Sequence, residues 1–392
     1  VKRVRKGRRA ILVLAGLAMA AAVIVLPHQA LSHETVTTTV MFDREIVQIL
    51  DRHCVMCHVE RGLSFPLETY EQTWLARRKI RSEVIARHMP PWAALPGYGE
   101  FVNDNSLTLR ETQFVVSWVE GLGPRNAGRV FTNTASGGAA PEPVRARGHA
   151  HAGHWQLGAP DVMTHLPAST IAAHEADTVR RFVLDPGLTA ERYVRALEFM
   201  PGDARVVRAA FFIVEDTGQW LGSWSPWYGH VEAPPGTAYR LPAGTRLIAE
   251  VHYRGADEEV VDHSMLGITF AGAPTGRILS DAVLEAGGEL AAGATAHRLR
   301  ADTRLDAETH AWALWPAATD GVKSIEVSAR TPDGGTSVLL FARDVPRAWP
   351  TSYIFKEPVS LPVGTTVSVT AYFENPSTTR QPAHVRVAMS RY

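Results

Sequence analysis

Five proline- and glycine-containing turn motifs, PGD, PPGT, PAGT, PDGG and PVGT, divide residues 155–392 into short runs such as RYVRALEFM, RVVRAAFFIVED, TRLIAEVHYRG and TTVSVTAYFEN. Runs rich in β-branched and aromatic residues, bounded by such turns, predict antiparallel strands and an all-β fold. One repeat organises them. LPAGTRLIAEVHYRG begins at Leu241 and LPVGTTVSVTAYFEN at Leu361, 120 residues further on. A strand–turn–strand unit recurring at that distance predicts two jelly-roll-like sandwich domains, 155–275 and 276–392.

The beginning of the chain has another texture. Lys2, Arg3, Arg5, Lys6, Arg8 and Arg9 precede an uncharged, largely aliphatic run from Ala10 to Leu26. That order is an export signal. Ala30 and Ser32 are small residues placed as a signal peptidase needs, with the cut before His33. The run also reaches the lower length limit of a bilayer-spanning helix, so residues 1–32 are expected to be a cleaved signal peptide or an uncleaved anchor. Either way the basic residues stay inside and the rest is periplasmic or otherwise extracytoplasmic. Of 40 basic and 40 acidic residues, removing the six basic ones of the acid-free leader leaves 34 against 40, a net charge of −6. The leader is the only dense basic cluster, so nothing points to a nucleic-acid partner.

Cys54 and Cys57 are the only cysteines, and His58 follows them directly in HCVMCHVE. An oxidising compartment favours a disulfide from such a pair. A thioredoxin-like redox pair needs a βαβ setting, but MFDREIVQILDRH places Phe42, Ile46, Ile49 and Leu50 at helical spacing and no βαβ pattern follows. Zinc needs four ligands, and there is no second cysteine pair. Cys-x-x-Cys-His uses every residue if the group held is haem c: two thiolates on one turn add to its vinyl groups, and the imidazole reaches the iron. Haem c is attached outside the cytoplasm, so motif and leader agree. A plain disulfide is the remaining alternative.

The iron then needs a sixth ligand. EVIARHMPPWAALPGYGEF offers Met89, on a loop stiffened by Pro90 and Pro91, with His88 and His53 as rivals. A thioether ligand raises the reduction potential and suits electron transfer. Further on, Thr108 and Glu111 form a predicted capping box, Phe114, Val115, Trp118 and Val119 an apolar stripe, and Gly121 and Gly123 a helix end. Residues 36–126 are therefore expected to be a small all-α, cytochrome c-like domain whose thin core a covalent haem would fill, with its last helix over the haem edge. Residues 127–154 read as a linker. Its His149, His151 and His154 fit a solvated hinge better than a metal site, because ordering a flexible loop opposes binding.

From Trp155 onward the chain resembles the copper type II, ascorbate-dependent monooxygenases, the peptidylglycine α-hydroxylating monooxygenase family. It is more similar still to a bacterial branch that fuses this two-sandwich module behind a small cytochrome c. The landmarks are CVMCH, HMPPW, WVEGLGP, LGAPDV, PGDARVV, LPAGTRLIAEVHY and LPVGTTVSVTAYFEN. The resemblance implies one copper per sandwich. The first would use an adjacent His pair after the PGD turn and a third His before a Tyr; here Arg208 and Ala209 occupy the pair positions and only His252 matches. The second would use an H-x-H pair and a distant Met; here His310 is followed by Trp312, with Met389 as the thioether.

One imidazole holds copper poorly, and Arg208 adds a positive charge, so both copper sites are expected to be lost. His252 alternates with Glu250 on one strand face, where a carboxylate would satisfy its ring. His252 and His310 remain the candidate copper ligands, and other histidines, such as His230 and His263, could rebuild a site by folding nearby. The expected function is an exported c-type cytochrome passing electrons to a redox partner protein, its sandwiches serving as a docking or scaffold unit. The alternative is an enzyme in which haem feeds a copper centre that hydroxylates a C–H bond.

Overall fold

The computed structural model describes residues 38–126, 154–272 and 276–392. The leader, and most of the linker with His149 and His151, lie outside the described residues; His154 is exposed at the linker's end. Among the described residues no helix is long and apolar enough to cross a membrane.

Residues 38–126 carry three helices. A π turn at Phe42–Ile46 runs directly into α1, Val47–His53. The helical spacing of Phe42, Ile46, Ile49 and Leu50 is used as it reads, since all four are buried. Helix α2 spans Tyr70–Ile85 and α3 Leu109–Glu120. Each begins at a complete capping box, Thr69 with Gln72 and Thr108 with Glu111, which satisfies amide groups the helix cannot bond itself. Val115, Trp118 and Val119 face the helical core, with Phe114 partly buried at its rim. Helix α3 ends as the glycines predict: Leu122 and Gly123 take φ of 67° and 69°, and Gly123 N–H donates to Trp118 O at 2.8 Å. Phe42 N–H donates to Pro124 O at 3.0 Å, which ties the end of this unit to its beginning.

The rest is β-structure in two sandwiches. In the first, one sheet orders Val162–His165, Met265–Phe270, Arg192–Met200, Thr237–Leu241 and Arg277–Ile278, and His230–Glu232 also pairs with Arg192–Met200. Its facing sheet orders Thr178–Leu184, Leu247–Tyr253, Val207–Val214 and Trp220–Trp224. Phe199 and Phe212 meet between them with ring centroids 5.5 Å apart. In the second sandwich Ser280–Leu290, Gln381–Arg391, Thr309–Ala318 and Tyr353–Leu361 form one sheet. His297–Arg304, Thr366–Phe373, Val322–Arg330 and Thr336–Arg343 form the other.

The repeat is one structural device used twice. Leu241 and Leu361 each end a strand, and Thr245 and Thr365 N–H groups close the turns onto Pro242 O and Pro362 O at 3.3 and 3.1 Å. Gly244 and Gly364 sit between at φ of 75° and 83°, the third position of a type II turn, which a side chain disfavours.

The loop joining α2 to α3 leaves the helices. Trp92, Ala93, Ala94 and Phe101 belong to the core of the second sandwich, where Trp92 packs on Tyr353 at 5.0 Å. Backbone bridges Ala94 to Ala342 and Phe101 to Phe355 add this segment to the sheet edges. Asn103, also buried, donates to Ser352 O at 2.8 Å and accepts from Ile354 N–H at 3.1 Å. The sandwiches meet each other through Phe211 stacked on Trp315 at 5.3 Å and Trp220 against Trp312 at 5.7 Å.

Candidate functional site

Beyond His53 the chain makes one further turn. Cys54 N–H donates to Leu50 O at 2.9 Å, and Cys57 and His58 N–H donate to Cys54 O at 3.1 and 3.0 Å. Val55, fully buried, pins the turn to the helical core. Both thiols and the imidazole therefore project from one short stretch of rigid backbone. The cysteines are free and half-buried. Burial pushes both thiols up to about 12; Glu111 adds to the rise at Cys54, while the Arg208 charge opposes it at Cys57. Thiols held that high are unlike the thiolates of a dithiol redox centre.

His58 Nδ1 lies 2.8 Å from Phe65 O. A carbonyl only accepts, so Nδ1 carries the proton and donates, which leaves the Nε2 lone pair for a metal ion. Burial lowers the imidazole pKa, the charges of Lys79 and Arg208 act in the same direction, and the Phe65 bond opposes them. The neutral ring is the form that ligates iron. The loop behind it closes through Leu67 N–H to His58 O at 2.7 Å, and at Gly62 a Cβ would come within 2.6 Å of Cys57 O.

The three candidates for a sixth ligand differ in their surroundings. His53 is half-buried, with Nδ1 3.2 Å from Asn105 O, while its Nε2 makes no hydrogen bond and lies 3.4 Å from Glu111 Oε1. His88 is exposed and lies 3.1 Å from Glu83 Oε2. Met89 is half-buried on the loop after α2, three residues before Trp92 anchors the chain in the second sandwich.

The copper candidates lie on strands of different sandwiches. His252 faces outward on Leu247–Tyr253 with its Nε2 3.2 Å from Glu250 Oε1, and its ring meets Phe211 edge-on at 5.6 Å. Burial alone would raise the Glu250 carboxyl, but hydrogen bonds from His252 and Arg181 outweigh it and hold Glu250 below the usual range. His310, in the second sandwich, bonds Ser360 Oγ through Nδ1 at 3.0 Å and stacks on Tyr392 at 5.0 Å. Met389 is wholly buried in that sandwich's core. His230 bonds Gln156 at 3.1 Å. Among the described residues no three His, Cys, Asp or Glu side chains converge as a metal group.

Arg208, which sequence reasoning noted only as a replacement, lies at a junction. Val207 pairs with Tyr253 and Ala209 with His252, so Arg208 is the extra residue of a β-bulge, a device that re-aims a side chain. The side chain is buried and donates from Nη2 toward Leu63 O at 3.4 Å, in the loop that follows the CVMCH turn. Its other side covers the Trp349 ring at 4.6 Å and lines a cleft of about 980 Å³ with Phe211, Glu250, His252 and Trp315. No sequence signal marks this contact, because Leu63 and Arg208 belong to different folded units.

The chain matches no protein-family model and no curated protein. Among solved structures it is similar to the major capsid protein P2 from bacteriophage PM2, with 11% identity over 57% of this chain and 97% of that one, TM-score 0.26. It is similar to the PBSX exported protein XepA with 12% identity over 54% and 86%, TM-score 0.19. Oxalate decarboxylase from Bacillus subtilis follows with 9% identity over 58% and 74%, TM-score 0.14. Likenesses this slight carry no argument.

Proposed function

We propose that the chain is an extracytoplasmic c-type cytochrome that passes electrons to a partner protein and carries a two-sandwich module of monooxygenase-like build. One observation carries the reading: a single turn presents two free thiols and an imidazole whose Nδ1 is committed to Phe65 O and whose Nε2 is left for a metal ion. That donor set fits haem c. Cys54 and Cys57 would hold the porphyrin through thioethers, His58 Nε2 would hold the iron, and Met89 is the preferred sixth ligand, its loop fixed by Trp92. When bound, the group would supply one-electron redox chemistry, and the chain's part is to anchor it through Cys54 and Cys57 and to orient it through His58.

Copper does not fit as well. His252 is paired with Glu250 beside a cleft that also receives the Arg208 cation, and His310 is bonded to Ser360. A cation in that position opposes a second one, so no copper step is assigned to these residues.

The test is the full chain made in a host competent for cytochrome maturation. One iron per chain, a Soret peak and a haemochrome spectrum showing two thioethers are expected, and Cys54→Ser or Cys57→Ser should each remove one thioether. Colourless wild-type protein overturns the proposal. Near-stoichiometric copper that disappears in His252→Ala or His310→Ala replaces electron transfer with the copper enzyme.

A further inference from the structure

Arg208 is a buried cation without a counter-ion. It is 8% exposed, its Nε has no hydrogen-bond partner, and among the described residues no carboxylate lies within ion-pair distance of it. Arg254 and Asp177 are the charged side chains whose fields it feels, with opposite signs. Asp177 is itself 3.9 Å from Arg254, which offsets its charge. An uncompensated buried charge is costly, and burial accordingly lowers the Arg208 pKa, though a guanidinium stays charged at any ordinary pH. The bulge aims it at the loop behind Cys57 and His58, and both of those residues feel its field. A stack on Trp349 holds it there.

A fixed positive charge in a poorly solvated place disfavours any further positive charge near it. Oxidised haem iron carries one more positive charge than reduced iron. Resting on the haem reading above, we propose that Arg208, supplied by the first sandwich, is a positioning charge that raises the reduction potential of the iron held on His58. The sandwich module then has a defined task in electron transfer: it sets the driving force from outside the helical unit.

The experiment is a redox titration of the full-chain holoprotein, followed through the haem absorption bands. Arg208→Gln and Arg208→Met both remove the charge; the Met variant replaces an unpaired buried cation by an apolar side chain of similar length and is expected to fold. Each should shift the reduced-to-oxidised ratio at a fixed applied potential about tenfold toward oxidised, equal to about 59 mV for one electron. Arg208→Lys should restore most of the wild-type value. Lys79→Gln removes an exposed charge that also acts on His58, so its smaller shift should vanish in about 1 M salt, where screening reaches only about 3 Å. The Arg208 shift should persist there. Haem-bearing Gln and Met variants whose ratio stays within about threefold of wild type, or whose shift salt removes, overturn this inference and leave the haem reading intact. Wild-type protein without haem overturns the reading itself.

Discussion

Asn103→Ala tests whether the loop between α2 and α3 is mechanically part of the second sandwich. The Asn103 amide satisfies two buried backbone groups that lie about 250 residues away in the chain: Ser352 O accepts from its Nδ2 at 2.8 Å, and Ile354 N–H donates to its Oδ1 at 3.1 Å. Asn103 is 4% exposed and Ile354 2%, so water does not reach these groups in the folded state. Each buried group left without a partner costs about 1–3 kcal/mol, so removing both contacts costs about 2–6 kcal/mol. Asn103→Asp keeps the acceptor for Ile354 N–H but sets a carboxylate against the Ser352 carbonyl. It should be at least as damaging at pH 7 and milder in acid, where the carboxyl regains a donor. The assay is urea unfolding of the full chain with two probes, tryptophan fluorescence for the sandwiches and far-ultraviolet circular dichroism for the helical unit. A chain of several cores need not unfold in one step, so the transition midpoints are compared separately. Both variants should lower the sandwich midpoint. An Asn103→Ala midpoint equivalent to less than about 0.5 kcal/mol of change, the range of ordinary surface substitutions, refutes the reasoning.

Three further outcomes are expected. Asp281 is half-buried, its Oδ2 accepting from Trp220 N–H at 2.7 Å, and desolvation raises its carboxyl to about 6 from an ordinary 3.8. A raised carboxyl contributes its stability below pH 3.8 and loses it as pH rises through about 6; Asp281→Asn should therefore stabilise the chain by up to about 3 kcal/mol at pH 8 and very little at pH 3.5, and equal effects at the two pH values refute it. Thr108→Ala removes the α3 cap and should cost about 1 kcal/mol in the helical unit, read as a lower thermal midpoint. It should also blunt the acid sensitivity of that unit: burial favours the neutral Glu111 carboxyl, but bonds from Thr108 and the charges of His53 and Arg52 prevail and hold its pKa below 4.5, so its contribution is present above pH 4.5 and fades as pH falls through the lowered value. On the proposed haem reading, Met89→Ala should abolish the sulfur-to-iron charge-transfer band of the oxidised form, and an unchanged spectrum excludes Met89 as a ligand.

Local devices were the legible part. The capping box at Thr108 and Glu111, the buried stripe of Phe42, Ile46, Ile49 and Leu50, and the LPxGT turns at Gly244 and Gly364 appear as their spacing predicts. Each depends on residues three to seven apart, within reach of backbone geometry alone. Pairing His252 with Glu250 was legible for the same reason, since alternate strand residues share a face. The destination of Trp92 and Phe101 was not. An apolar residue records that it will be buried but not against which partner, and here the partners are Tyr353 and Phe355.

By itself, then, the order of residues determined the CVMCH turn, the helix ends, and the division into helical and β regions, because local hydrogen bonding and side-chain periodicity act over a few residues. Only the tertiary structure decided that the loop before α3 joins the second sandwich and that the Arg208 bulge turns a buried charge toward the loop behind Cys57. Those placements come from burying apolar surface and desolvating a charge between segments more than a hundred residues apart, and such energies exist only once the chain has folded.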